Sequence, residues 1–261
     1  NKVIRSIDDG QTWTGVSSPA DVDESSLFHV AYANGVWMAG GVRRTGQYDY
    51  SRSNSVLRST DDGQTWSWVT TGKEGCGWDI GYGNGVWMTA SFQCREGDYA
   101  FRSTDDGLTW SPVAIPDLNG PRSVSYGNGV WIALGEHLDY TDEMATGGSA
   151  DWIADSLTSG VVMRSTDDGQ TWSAGDVSAV DHDCSFGPCI WVQAAYGDGV
   201  WVAVAMDADG AHQHQVMRSI DDGQTWTGVA DLPVDNRWNS VGYANCVWVA
   251  VGTPYPQQDD N

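Results

Sequence analysis

The chain has 261 residues, 40% of them hydrophobic, with 32 Gly, 15 Trp and a formal net charge of −22. No apolar stretch approaches the ~20 residues that span a bilayer, and 35 acidic against 13 basic side chains argue against a nucleic-acid partner, whose phosphates are held by Lys and Arg. No long window carries a helical period, so the expectation is one soluble all-β domain.

In chain order, residues 2–16 read as two strands around "RSIDDGQTW", Arg5 to Trp13. A hairpin follows at Tyr32, "YANGVW", in which two strands flank Asn-Gly, the dipeptide suited to a turn needing φ > 0 at both central positions. The two patterns then alternate. The nine-residue pattern returns at Arg58–Trp66, Arg102–Trp110, Arg164–Trp172 and Arg218–Trp226; the hairpin returns at Tyr82, Tyr126, Tyr196 and Tyr243. Successive first serines are 53, 44, 62 and 54 residues apart, a period that belongs to propeller blades and similar repeats. Within each nine-residue turn, the Ser and first Asp side chains can accept backbone N–H bonds, Gly can take positive φ, and Trp can lie over the turn or wedge under the sheet. Each repeat is thus four antiparallel strands, the inner two (A and B) from the hairpin and the outer two (C and D) from the nine-residue turn.

Ser-x-Asp-x-Gly-x-Thr-Trp resembles the Asp-box, or bacterial neuraminidase repeat (BNR), of β-propellers. All five copies carry it: Ser6, Asp8, Gly10 and Trp13; Ser59, Asp61, Gly63 and Trp66; Ser103, Asp105, Gly107 and Trp110; Ser165, Asp167, Gly169 and Trp172; Ser219, Asp221, Gly223 and Trp226. The resemblance implies a sialidase-like fold, not an activity, since such boxes sit on the periphery of enzymes and of non-enzymes alike. The sequence starts with strands C and D and ends with A and B, which predicts a five-bladed propeller of four-stranded antiparallel blades closed by joining the two. The expected blades are 28–70, 78–114, 122–175, 190–230, and 238–252 combined with 2–16. The missing initial Met and signal peptide fit a processed product or a piece of a longer chain.

This connectivity puts the A–B and C–D turns on one face and the variable B–C and D–A loops on the other. Cys76 and Cys94 fall in adjacent variable loops and Cys184 and Cys189 share one, so two disulfides are expected, and with them an extracellular, cell-surface or lumenal setting. Cys246 is the odd cysteine, standing where other hairpins have Gly. The 30 Asp against 5 Glu suit a saline setting that screens repulsion.

Function is expected on the variable face. Phe28, Trp78, Trp191 and Trp238 stand four or five residues before the hairpin Tyr, where they can ring the mouth of a central channel as an aromatic platform or plug it as core. Arg122 and Arg237 enter at that level, and Trp152 lies in the longest loop, residues 136–160. A sialidase needs three Arg on a carboxylate with a Tyr–Glu pair and an Asp; the Arg available outside the boxes, Arg43, Arg44, Arg52, Arg95, Arg122 and Arg237, do not map onto that set. A furanosidase-like site needs two axial carboxylates. Asp79 supplies one, but its counterparts are His29, Ser123, Gln193 and Ser240. Asp207 and Asp209 resemble part of a calcium loop, and His212 and His214 could join His182 on a transition metal; solvated loop is the simpler reading, and no cofactor is expected. The sequence therefore reads as a non-catalytic module that binds a protein or glycan partner, as a possible subunit of a larger surface assembly. A glycan-active enzyme is the alternative.

Overall fold

The computed structural model describes residues 3–19, 25–44, 52–74, 77–91, 100–118, 120–138, 157–180, 190–206, 215–233 and 236–254. These are the strands, the hairpin turns and the boxes; most of the variable loops lie outside them. Every regular element among the described residues is a β-strand. The chain packs as two compact units, residues 1–114 and 115–261.

Unit 1 contains β1 (Ile4–Arg5) and β2 (Thr14–Gly15), which form a two-stranded sheet, and two four-stranded antiparallel sheets. The first is β3 (Ser26–Ala33), β4 (Val36–Arg44), β5 (Arg52–Ser59) and β6 (Ser67–Glu74). The second is β7 (Gly77–Gly83), β8 (Val86–Ser91), β9 (Ala100–Ser103) and β10 (Ser111–Val113). Unit 2 repeats the plan with β11 (Gly120–Gly127), β12 (Val130–Leu138), β13 (Leu157–Ser165) and β14 (Ser173–Ala174). Its next sheet has five strands: β16 (Ile190–Gly197), β17 (Val200–Met206), β18 (Val216–Ser219), β19 (Thr225–Gly228), and β15 (Asp176–Ala179) added in parallel outside β19. A final hairpin, β20 (Asn236–Ala244) with β21 (Val247–Pro254), is a two-stranded sheet.

The hairpin turns take the expected geometry. Asn34, Asn84, Asn128, Asp198 and Asn245 have φ of 49–51°, and the following Gly35, Gly85, Gly129 and Gly199 have φ of 76–81°. Cys246 is forced into the same region at φ 63°. In the boxes the second Asp joins Gly at positive φ: Asp9, Asp62, Asp106, Asp168 and Asp222 lie at 53–58°, a feature the turn chemistry alone does not announce.

Stacking of sheets within a unit explains the composition. The run Val86, Trp87, Met88, Thr89, Ala90 of β8 is buried throughout, and so it reads as a nearly continuous apolar run instead of an alternating one. Small residues let neighbours approach: a Cβ on Gly127 would overlap Tyr196, and one on Gly197 would overlap Tyr243. In unit 2 one cluster joins Val130, Ile132, Leu134, Trp191, Trp201 and Trp226. In unit 1 one cluster lies around Met38, Ile80 and Trp87 and another around Val16, Leu57 and Trp66.

Candidate functional site

The box turns spend their polar chemistry internally. In the second box, Ser59 Oγ donates to Asp61 Oδ1 at 2.8 Å and accepts the Gly63 N–H at 3.0 Å. Asp61 takes the Thr65 N–H at 2.9 Å and its hydroxyl at 2.6 Å, and the Trp66 indole donates to Gly63 O at 3.1 Å. The other four boxes repeat this network. The Thr hydroxyl and then the other donors hold Asp8, Asp61, Asp105 and Asp167 at a pKa of about 2. At Asp221 desolvation works the other way, but the Thr225 and Ser219 bonds outweigh it and the value is again lowered. Boxes are also tied to one another. Arg58 Nε donates to Asp106 O at 2.7 Å and Arg164 Nε to Asp222 O at 2.6 Å, while the hairpin residues Asn34 and Asn128 donate to the Asp106 and Asp222 carboxylates. Arg5 makes the same bond to Asp62 O, so three of the five Arg that precede a box share this role.

The pairing of Trp37 with Ser59 puts hairpin turn and box at one end of a sheet, with Arg44 and Arg52 paired at the other. At that other end every innermost strand carries a bulge. The extra residue is Phe28, Trp78, Arg122, Val192 and Asn239 in turn, the position where a bulge re-aims side chains. Trp191 and Trp238 stand one residue earlier, off the level of Phe28, Trp78 and Arg122. Trp191 is buried at 0% exposure in the unit 2 core, so packing accounts for it. Phe28 is 46% exposed, and Arg122, Arg237 and Trp238 are half-buried. Trp78 belongs to β7, but its side chain is outside the described residues, as are Trp152, Asp207, Asp209, His212, His214, Cys76, Cys94, Cys184 and Cys189. Cys246 is exposed as a free thiol.

Residues just past three of the bulges, His29, Asp79 and Gln193, tie inner strands together. In unit 1, His29 Nδ1 lies 3.3 Å from Asp79 Oδ1, and that carboxylate, nearly buried, also accepts the Ile80 N–H at 2.8 Å. In unit 2, Gln193 Oε1 accepts the Val241 N–H at 2.9 Å, and Ser125 donates to Ala194 O at 2.7 Å. Among the described residues no group of three or more His, Cys, Asp or Glu is arranged to hold a metal ion.

Unit 1 also has an apolar cleft of about 590 Å³ lined by Ile4, Trp13, Phe28, Val30, Tyr32 and Trp66 among others. Val30 is 62% exposed there, whereas its equivalents Ile80, Val124, Ala194 and Val241 are all buried. In unit 2 the face of β21 carrying Val247, Val249 and Val251 is 56–58% exposed, although the same positions in β4, Val36 and Met38, are buried.

These features define a class, which comparison with known proteins bears out. The BNR/Asp-box repeat model matches residues 163–174, the box between β13 and β14. Among solved structures, YCF48 bound to D1 peptide is similar at 16% identity and TM-score 0.53, over 88% of this chain and 60% of that one. A protein of unknown function from Dyadobacter fermentans DSM 18053 is similar at 17% identity and TM-score 0.54, over 83% and 70%. The Hadza microbial sialidase Hz136 is similar at 18% identity and TM-score 0.51, over 78% and 45%. This chain therefore spans about 60% of the length of YCF48 and less of the sialidase. Among curated proteins, none matches the sequence. At these identities the likeness is one of fold: the chain carries a BNR/Asp-box repeat on a BNR-type β-propeller fold.

Proposed function

We propose that the chain is a non-catalytic binding module that holds a segment of a partner protein at the bulged ends of its innermost strands. The observation that carries this is a contrast between the two ends. The box turn is written five times with its polar groups bonded internally, whereas the shared bulge carries five different side chains, Phe28, Trp78, Arg122, Val192 and Asn239. A scaffold repeats and a recognition surface varies. Arg237, Trp238 and the loop residue Trp152 join Phe28, Trp78 and Arg122 in this reading, and the peptide bound by YCF48 supports a protein partner over a glycan. Turnover of glycans is the weaker reading, because Asp79, the one carboxylate at this level of the inner strands, is engaged by His29. Disulfides Cys76–Cys94 and Cys184–Cys189 and an extracellular setting belong to the same proposal, and non-reducing peptide mapping tests them.

A displayed random-peptide library panned on the full chain supplies ligands whose affinity calorimetry can read. Phe28→Ala and Arg122→Ala should each weaken binding by roughly tenfold or more, as for an anchor at an interface. Asp105→Ala, in a box, should leave affinity unchanged in chain that remains folded. The opposite pattern would place the partner at the boxes.

The proposal includes a closed five-bladed ring in which residues 238–252 supply the inner pair of a blade whose outer pair is 2–16. Support comes from the sequence, in which five hairpins alternate with five boxes. Val249→Asp distinguishes the cases. On a closed ring it buries an unpaired charge and removes several kcal/mol of stability; on an open face, with Val249 at 58% exposure, it changes little.

A further inference from the structure

Outer strands in both units end in the same way. Three residues after the box tryptophan, the backbone N–H still bonds to its own sheet: Val16 to Val3 O at 3.2 Å, Gly175 to Val162 O at 2.9 Å and Val229 to Val216 O at 2.8 Å. One residue later, in two of these places, the chain crosses to the neighbouring sheet. Ser17 bridges Thr65 in parallel within unit 1, and Asp176 pairs in parallel with Thr225 within unit 2. Thr65 and Thr225 are the same residue of their boxes, so the crossing keeps one register in both units. In unit 2 it grows into β15. The Asp176 N–H donates to Gln224 O at 2.7 Å, Ala179 reaches Thr227, and Val180, buried in the core, donates its N–H to Val177 O at 2.9 Å. The long outer strand β6 behaves differently and stays on β5 as far as Glu74.

The consequence lies in what β15 covers. Strand β19 ends its antiparallel set, and a bare outer strand offers a row of backbone donors and acceptors to any passing strand. β15 occupies that row. It leaves in its place a four-residue edge carrying the charge of Asp176, whose carboxylate takes the Ser178 N–H at 2.9 Å. Short length and charge are two devices that keep an edge from pairing. Gly175 makes the approach possible, since a Cβ there would sit 2.9 Å from Gly223 O and 3.1 Å from the Trp226 indole nitrogen.

We infer that residues 175–180 are an edge guard, a strap that ties two consecutive sheets and prevents β19 from pairing with a second copy of this chain. The inference is independent of the binding function.

The test uses the full chain, with light scattering after size exclusion and amide hydrogen exchange over residues 224–228. Asp176→Pro removes the N–H that reaches Gln224 O, whereas Asp176→Ala keeps it. Gly175→Ala keeps every donor but drives its Cβ against Gly223 O. Asp176→Pro and Gly175→Ala should exchange at least about fivefold faster over 224–228, the loss of one net hydrogen bond, and should show a mass that rises with concentration; Asp176→Ala, which keeps the N–H, should match the parent in exchange. If Asp176→Pro fails to fold, Gly175→Ala decides. Faster exchange without association, or no change in exchange, would overturn the edge-guard reading.

Discussion

Replacing Gly223 by Ala should cost far more than replacing Gly129 by Ala, although the two glycines have nearly the same backbone. Their φ values are +78° and +79°, so both variants force an L-residue into the left-handed region, at about 1 kcal/mol each. They differ in what the new methyl meets. At Gly129 nothing lies within 4 Å, whereas at Gly223 the Cβ falls 2.5 Å from Ile132 Cδ1. Ile132 is fully buried in the unit 2 cluster and cannot swing into solvent. Forcing a methyl into such packing adds about 1–3 kcal/mol, which brings Gly223→Ala to about 2–4 kcal/mol against about 1 for Gly129→Ala. Urea unfolding followed by tryptophan fluorescence reads this well, because the buried Trp226 indole donates to Gly223 O at 3.1 Å and senses the site. Equal losses in the two variants would refute the reasoning, leaving Gly223 needed for its φ alone.

Two further outcomes follow from the turns. Asp8, Asp61, Asp105 and Asp167 sit at about 2 against an ordinary 3.8, so what their bonds contribute is complete above pH 3.8 and is lost as pH falls toward 2; carboxyl titration by NMR should find these Asp low and a cooperative acid transition in that window, and ordinary values would contradict the box geometry. Cys246→Gly should stabilise the protein by about 0.5–1 kcal/mol, since Gly carries no penalty at positive φ, and thermal melting checks this against the observed φ of 63°.

What the sequence made legible was local. Asn84-Gly85 and the Ser59-Asp61-Gly63-Thr65 pattern carry their turn geometry in their own atoms, and four strands per repeat followed from alternating two such signals. Relations between sheets were harder to see. The bulge shifts register by one residue, so counting back from Tyr196 reached Trp191, a core residue, when the equivalent of Phe28 is Val192. Arg164 looked like a generic residue before a turn until its bond to Asp222 O, 58 residues away, appeared. The strap at Asp176 was invisible for the same reason: nothing in "SAGDVSAV" says that its partner is the next box. Much of the candidate surface, including Trp152 and the four paired-cysteine candidates, falls in loops whose sequence has no repeat to constrain it.

The most direct test of the central claim is a hydrogen-exchange footprint of the intact chain with and without a peptide selected from the library. The account predicts new protection at the bulged strand ends, residues 26–29, 120–123 and 236–239, with none over the boxes at 59–66, 103–110, 165–172 and 219–226. Protection confined to the boxes, with the bulged ends exchanging as in the free protein, would contradict it.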